Sequence, residues 1–325
     1  MKWTEHADDT LRMYLENMVA EARLAQKLGM DVSHGDIVGA TRESLLDLVQ
    51  RSLPLARVVD LSDLVLHAEG PAVHNDSPSL SAFNWMATSA ERAIRKLSGE
   101  LFNLFERDAR KLRKALDLRV TGMAPGSLYL GFAISPPSAD LISGEDEPVF
   151  KQIRHAVRTL PALSDTIEDD QISSAAAEII PDAAERDAAL TALHRIAPTG
   201  QKGIYNLELS APGSVHGELS PRERLVLHDA LLNPKLANRA TGTFTGEVRE
   251  VDLDARRLHL RNVSGIGSLR CVLPILDSTQ AKSLIGEFAR VTGEYEADRS
   301  GRPRLLLVNS MAKLPKATQA EFPSI

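Results

Sequence analysis

Between Gly242 and Leu314 apolar residues alternate with polar ones in five short runs, and a helical run separates the third from the fourth. Each run has one apolar side to bury, so the segment reads as a five-stranded sheet with one short helix inserted. Phe244 to Val248 opens the first run and Val251 to Asp254 closes it, with a bulge expected at Glu250 where the alternation slips. Leu258 and Leu260 share one side of the second run, and Leu269, Cys271 and Leu273 share one side of the third. Asp277-Ser278 offers an N-cap ahead of Ala281, Leu284 and Ile285, and Gly286 is placed to end that short helix. The last two runs, 288–296 and 304–308, flank the turn Asp298-Arg299-Ser300-Gly301.

This layout resembles an OB-fold barrel, whose second and third strands usually face the ligand. The resemblance implies a binding module for single-stranded nucleic acid, oligosaccharide or protein, and leaves those alternatives open. On the outward side of those strands stand Arg257, His259, Arg261 and Arg270, a basic face suited to single-stranded DNA or RNA. Sequence-tolerant single-strand binding also uses aromatic platforms. The region offers Phe244, Phe288 and Tyr295, of which the two phenylalanines read as core, and the arginines have Glu294 and Glu296 within reach as partners.

Upstream the pattern is mixed, so the expected class is α+β: a helical segment at 1–58, an α+β domain at 59–238 and the barrel at 242–316. Apolar residues at Leu11, Leu15, Met18, Ala22 and Ala25 predict an amphipathic helix from Thr4 to Leu28, and a second helix follows Thr41. Leu64 to Ala68 reads as a strand. From Ser79 a long helix carries Phe83, Ala87, Ala90, Ile94, Leu97, Leu101 and Leu104 at alternating spacings of four and three, a seam fit for packing or for a homo-oligomer. A hairpin turns at 123–126, helices are expected over 148–163 and 172–196, and a strand over 204–209. Ser220-Pro221 starts a final helix, and Asn238 to Gly242 reads as the linker into the barrel.

Charge is unevenly spread. Residues 241–325 hold 12 Lys and Arg against 10 Asp and Glu, a balance of +2 that leaves −8 for residues 1–240, so a general polyanion binder is disfavoured. The single cysteine, Cys271, alternates with core positions and excludes an internal disulfide framework. No run has the apolar length of a membrane span or signal core, and the expected compartment is the cytoplasm.

Chemistry-bearing clusters are sparse. His67 and Glu69 share one side of a strand, and the following loop is able to return His74 and Asp76 to them as divalent-metal ligands. Arg107, Arg110, Lys111, Arg113 and Lys114 form the densest basic patch, near the end of the long helix where cations also suit the helix dipole. Arg222 and His228 stand six apart on a predicted helix and loosely resemble the spacing of HEPN-type ribonucleases. No Gly-rich phosphate loop, paired-cysteine motif or nucleophile elbow occurs, so no cofactor is called for. The overall order is similar to uncharacterised prokaryotic proteins with a terminal barrel. The expected function is a non-catalytic binding or regulatory protein acting through the barrel; the alternatives are a protein scaffold in a defence or toxin–antitoxin type assembly, or a metal-dependent or HEPN-like nuclease.

Overall fold

The structure, a computed structural model, describes residues 2–30, 33–73, 77–102, 111–112, 114–124, 128–135, 148–236, 239–253, 256–274, 283–297 and 301–314. The fold is α+β with two five-stranded sheets. The chain divides into two units, one built from Met1–Glu91, Leu116–Pro161 and Pro198–Pro221, the other from Arg92–Ala115, Ala162–Ala197 and Arg222–Ile325.

In the first unit α1 (Trp3–Lys27) packs with α2 (His34–Asp47) and α3 (Leu53–Leu61), the last two joined through a π-helical turn at Leu48–Ser52. The second helix starts at His34, eight residues before the position after Thr41 that the sequence pattern indicates. Asp60 accepts hydrogen bonds from the Trp3 and Thr4 amides and the Thr4 hydroxyl, fastening the start of α1 to the end of α3. These bonds, opposing its slight desolvation, hold the Asp60 carboxyl below its ordinary pKa.

The sheet of this unit comprises β1 (Leu64–Glu69), β2 (Asp117–Ala124), β3 (Leu128–Ser135), β4 (Asn206–Ser210) and β5 (Gly217–Leu219), in the order β2-β3-β1-β4-β5 with every neighbour antiparallel. Alternation decides its faces: Leu64, Leu66 and Ala68 of β1 lie with Leu128, Leu130 and Leu207 on a fully buried side. On the opposite side α3 approaches β2 and β3 closely, and a Cβ at Gly131 would lie 2.1 Å from Ser62 Oγ. Asp63 ends α3's approach by accepting from the Ile134 amide at 2.8 Å and from Arg158 Nη2 at 2.6 Å, which ties in α5 (Pro148–Arg158). The short β5 is an edge strand that alternation over three residues does not reveal.

α4 (Leu80–Leu101) contributes its first half to one unit and its second half to the other. The expected seam is real but buried within the chain: Ala90, Ile94 and Leu97 have no exposed surface, and Met86 and Ala93 join them. Leu104 lies outside the described residues.

Two helices read as continuous in the sequence are broken. The run 148–163 divides into α5 and α6 (Leu160–Ser164) at Thr159, next to Pro161. The run 172–196 divides into α7 (Ala175–Ile179) and α8 (Ala183–Ile196), because Pro181 lacks an amide proton and Asp182 caps the new helix, accepting from the Ala184 and Glu185 amides at 2.9 Å. α9 (Pro221–Leu232) then leads toward the second sheet.

That sheet comprises β6 (Arg239–Asp252), β7 (Arg257–Val263), β8 (Gly267–Val272), β9 (Phe288–Ala297) and β10 (Pro303–Lys313), and it closes in a ring in the order β10-β8-β7-β6-β9. The β8–β10 pair is parallel and the other four are antiparallel. The residues expected as a linker are strand instead: β6 begins at Arg239, pairing with Glu296, because a first strand must reach two neighbours to close the ring. It serves β9 up to Glu247 and β7 from there on, and its register shifts between Val248 and Glu250, at the expected bulge. Inside lie Val248, Leu258, Leu260, Leu269, Cys271, Val291 and Leu306. Most of the expected helix after Asp277, and most of the turn at 298–301, lies outside the described residues; Ser283 and Leu284 are helical, with Leu284 in the ring's core.

Candidate functional site

Every second residue of β7 and β8 points away from the ring's core, so Arg257, His259, Arg261 and Arg270 do share its outer face. That face is not an open basic surface. α8 lies over it, with Ala183 and Ala184 packed against Val272 and Leu305 in a small apolar cluster completed by Leu236. Arg257 and Arg270 retain only 6% and 7% of their surface.

Asp187, one turn into α8 and 3% exposed, receives both guanidinium groups. Arg257 donates through Nη2 to Oδ1 and through Nε to Oδ2 at 3.3 Å, and Nη2 also reaches the Leu231 carbonyl at 3.1 Å. Arg270 donates through Nη1 to Asp187 Oδ2 at 3.2 Å and to the Ala184 carbonyl at 3.2 Å, while its Nη2 lies 2.9 Å from Glu100 of α4. Next to this pair, Arg186 bonds Glu296 of β9 at 3.1 Å and the Ile180 carbonyl at 2.8 Å. Arg304 of β10 reaches Asp182 at 3.4 Å and the Leu101 carbonyl at 3.1 Å. The outer face of the ring is thus neutralised by carboxylates from α8 and α4.

The electrostatics follow from that enclosure. Burial alone would raise the Glu100 carboxyl, but Arg270 and Lys96 outweigh it and hold the pKa down to about 2. His259, half-buried by its surface, is pushed down to about 3 by desolvation and by the nearby Arg270, and is neutral. Glu100 pulls the other way, while Lys96 and Arg261 add to the depression. Arg261, like His259, is half-buried, so of the four residues expected to form an open basic face two are buried and none is fully exposed. Periodicity places a side chain on one side of a strand; it carries no signal for the helix that later covers that side.

Beside this interface the same unit holds a cleft of about 680 Å³ among α7, α8, α9, the 168–174 turn and β10. Its walls include Ile172, Leu190, Val226 and Leu236, its inner end meets Arg186 and Asp187, and its rim carries Glu168, Asp170, Asp229 and Lys235. No single motif marks it, since its lining comes from four separated segments.

In the first unit His67 and Glu69 lie on one side of β1 as expected. His67 stacks flat on Tyr129, ring centroids 3.9 Å apart, and its Nδ1 is 3.0 Å from Glu208 Oε2. The other oxygen of Glu208 lies 2.7 Å from His216 Nδ1. Tyr129 and Glu208 are His67's direct neighbours on β3 and β4, a row that only strand pairing reveals. Burial disfavours the Glu208 anion, but the two histidine bonds prevail and its carboxyl sits below the usual range. Glu69 instead accepts from Asn206 at 3.3 Å. His74 and Asp76 lie outside the described residues, and among the described residues no group of three or more His, Cys, Asp or Glu is arranged to hold a metal ion.

Of the basic patch, Lys111 and Lys114 are helical and exposed, and Arg107, Arg110 and Arg113 lie outside the described residues. Arg222 at the start of α9 is bound to Glu223 and Asp169. His228 lies on another side of that helix, its ring 5.7 Å from His194. Six residues at about 100° each set Arg222 and His228 well apart around the axis, so α9 does not bring the two together. His194 is lowered to about 4 by burial and by the neighbouring Arg224 and His228. Among the described residues no helix is long and apolar enough to cross a membrane. No protein-family model matches the chain, and neither a curated protein nor a solved structure matches it.

Proposed function

We propose that the protein is a non-catalytic binding protein, and that its C-terminal ring is an OB-type barrel serving as a docking platform for protein segments. The five-stranded order with a parallel closing pair supports the barrel assignment. The observation that carries the functional reading is the seating of Asp187 on Arg257 and Arg270. The strands that would read a nucleic-acid backbone are already matched, in charge and in apolar contact, by a helix of this chain, so this face takes a polypeptide segment, α8, in place of a nucleic acid.

Fluorescence anisotropy with labelled single-stranded DNA and RNA, at low and at physiological salt, tests this. The expected result is a flat titration at both salts. Micromolar binding that weakens with salt and disappears on Arg261→Glu would make the barrel a nucleic-acid module and overturn the reading.

A further inference from the structure

The cleft beside α8 has the size of a small-ligand site, about 680 Å³, and lies wholly within the second unit. Its walls and its charge point to one kind of occupant. Ile172, Leu190, Val226 and Leu236 are each less than a tenth exposed and give it an apolar lining that favours a hydrophobic body. At the inner end the buried charges cancel: Arg186 is held by Glu296, and Arg257 and Arg270 are offset by Asp187 and Glu100. The rim does not cancel. Glu168, Asp170 and Asp229 face a single ammonium, Lys235, whose Nζ is engaged by Gln171 Oε1 at 2.7 Å. Three carboxylates against one cation around a low-dielectric recess give it a negative potential that concentrates cations.

We infer that this cleft binds an organic cation, a protonated amine or guanidinium carried on an apolar body. The body lies along the Ile172, Val226 and Leu236 walls, and the cationic head stays at the rim near Asp170 and Asp229. An anionic ligand of the same shape is rejected by the rim, and a neutral one loses the charge attraction. The chemistry is shared by small aryl-alkyl amines and by a basic residue next to an aromatic one in a peptide.

The test uses the full chain and four probes: 4-phenylbutylamine, 4-phenylbutanol, 4-phenylbutyrate and a blocked Phe-Lys dipeptide, titrated by saturation-transfer NMR. The amine, the dipeptide or both are expected to bind, with the alcohol weaker and the carboxylate absent; which cation binds more tightly separates a metabolite site from a peptide site. Neutralising the rim with Asp170→Asn and Asp229→Asn together is expected to weaken cation binding about fivefold while leaving the alcohol unchanged, since exposed charge pairs contribute a fraction of a kcal/mol each. These exposed substitutions leave the fold intact, which circular dichroism checks, and Ala177→Trp, which fills the cleft, abolishes binding of every probe. Equal affinity for amine and alcohol, no binding by either cation at millimolar concentration, or cation binding indifferent to the rim substitutions would overturn the assignment.

Discussion

Replacing Asp187 with alanine removes the carboxylate on which two buried arginines converge. Arg257 loses a two-nitrogen contact and Arg270 loses its Nη1 contact, although Arg270 keeps Glu100 at 2.9 Å and the Ala184 carbonyl. Breaking a buried pair by deleting one partner typically costs about 3–5 kcal/mol, because the remaining charge stays desolvated. The retained Glu100 contact places the expected loss near the lower end, about 3 kcal/mol. Both tryptophans, Trp3 and Trp85, belong to the first unit, so the loss must be read by circular dichroism or by hydrogen exchange in β7 and β8. With a typical urea dependence, the transition that includes the ring shifts down by about 1 M or more. Combining Asp187→Leu with Arg257→Met, which removes both charges at once, should recover over half of the loss. A cost below about 1 kcal/mol for Asp187→Ala, or simple additivity in the Asp187/Arg257 cycle, would show that α8 is held by its apolar contacts alone and that the reasoning from buried charge is wrong.

Acid should loosen the second unit. His259 titrates near 6.5 when unfolded and is lowered to about 3 when folded, so the unfolded state takes up the proton first and stability falls as pH drops below 6.5. At pH 5 the loss amounts to about 2 kcal/mol relative to pH 7.5, and His259→Asn should reduce it by that amount in urea melts at the two pH values. Glu100, ordinarily near 4.5 and held to about 2, adds a further loss below pH 4.5 with the same sign. A Cβ at Gly293 would lie 2.0 Å from the Leu307 carbonyl oxygen on the neighbouring strand, so Gly293→Ala should destabilise by about 1–3 kcal/mol in thermal melts. Cys271 is fully buried and its thiol is raised by burial, so a thiol reagent at pH 8 should label it only at the rate of unfolding.

The strands of the ring were legible because each is amphipathic: Leu258, Leu260, Leu269 and Cys271 announce one side, and the bulge near Glu250 shows as a slip in the alternation. The α+β class and the buried seam of α4 were legible for the same reason. What escaped were features that depend on a partner distant in the chain. The stretch from Asn238 to Gly242 has a linker's composition, yet from Arg239 it is strand because β9 offers hydrogen-bond partners. Pro181 was visible, but one continuous helix running through it was the simpler pattern until Asp182 proved to cap a separate helix.

The candidate sites divide along the same line. Sequence determined that Arg257 and Arg270 leave the ring on its outer side, and that His67 shares a face with Glu69, since both follow from a two-residue period. Tertiary structure alone decided that Asp187 meets those arginines from 70 and 83 residues away, that Glu208 meets His67 from 141 residues away, and that four separated segments enclose a cleft. Local periodicity is a property of neighbouring residues and survives in the linear code. The neutralisation of a charge depends on which surfaces the packed chain brings together, and that pairing is set only when the apolar faces of α8 and the ring find each other.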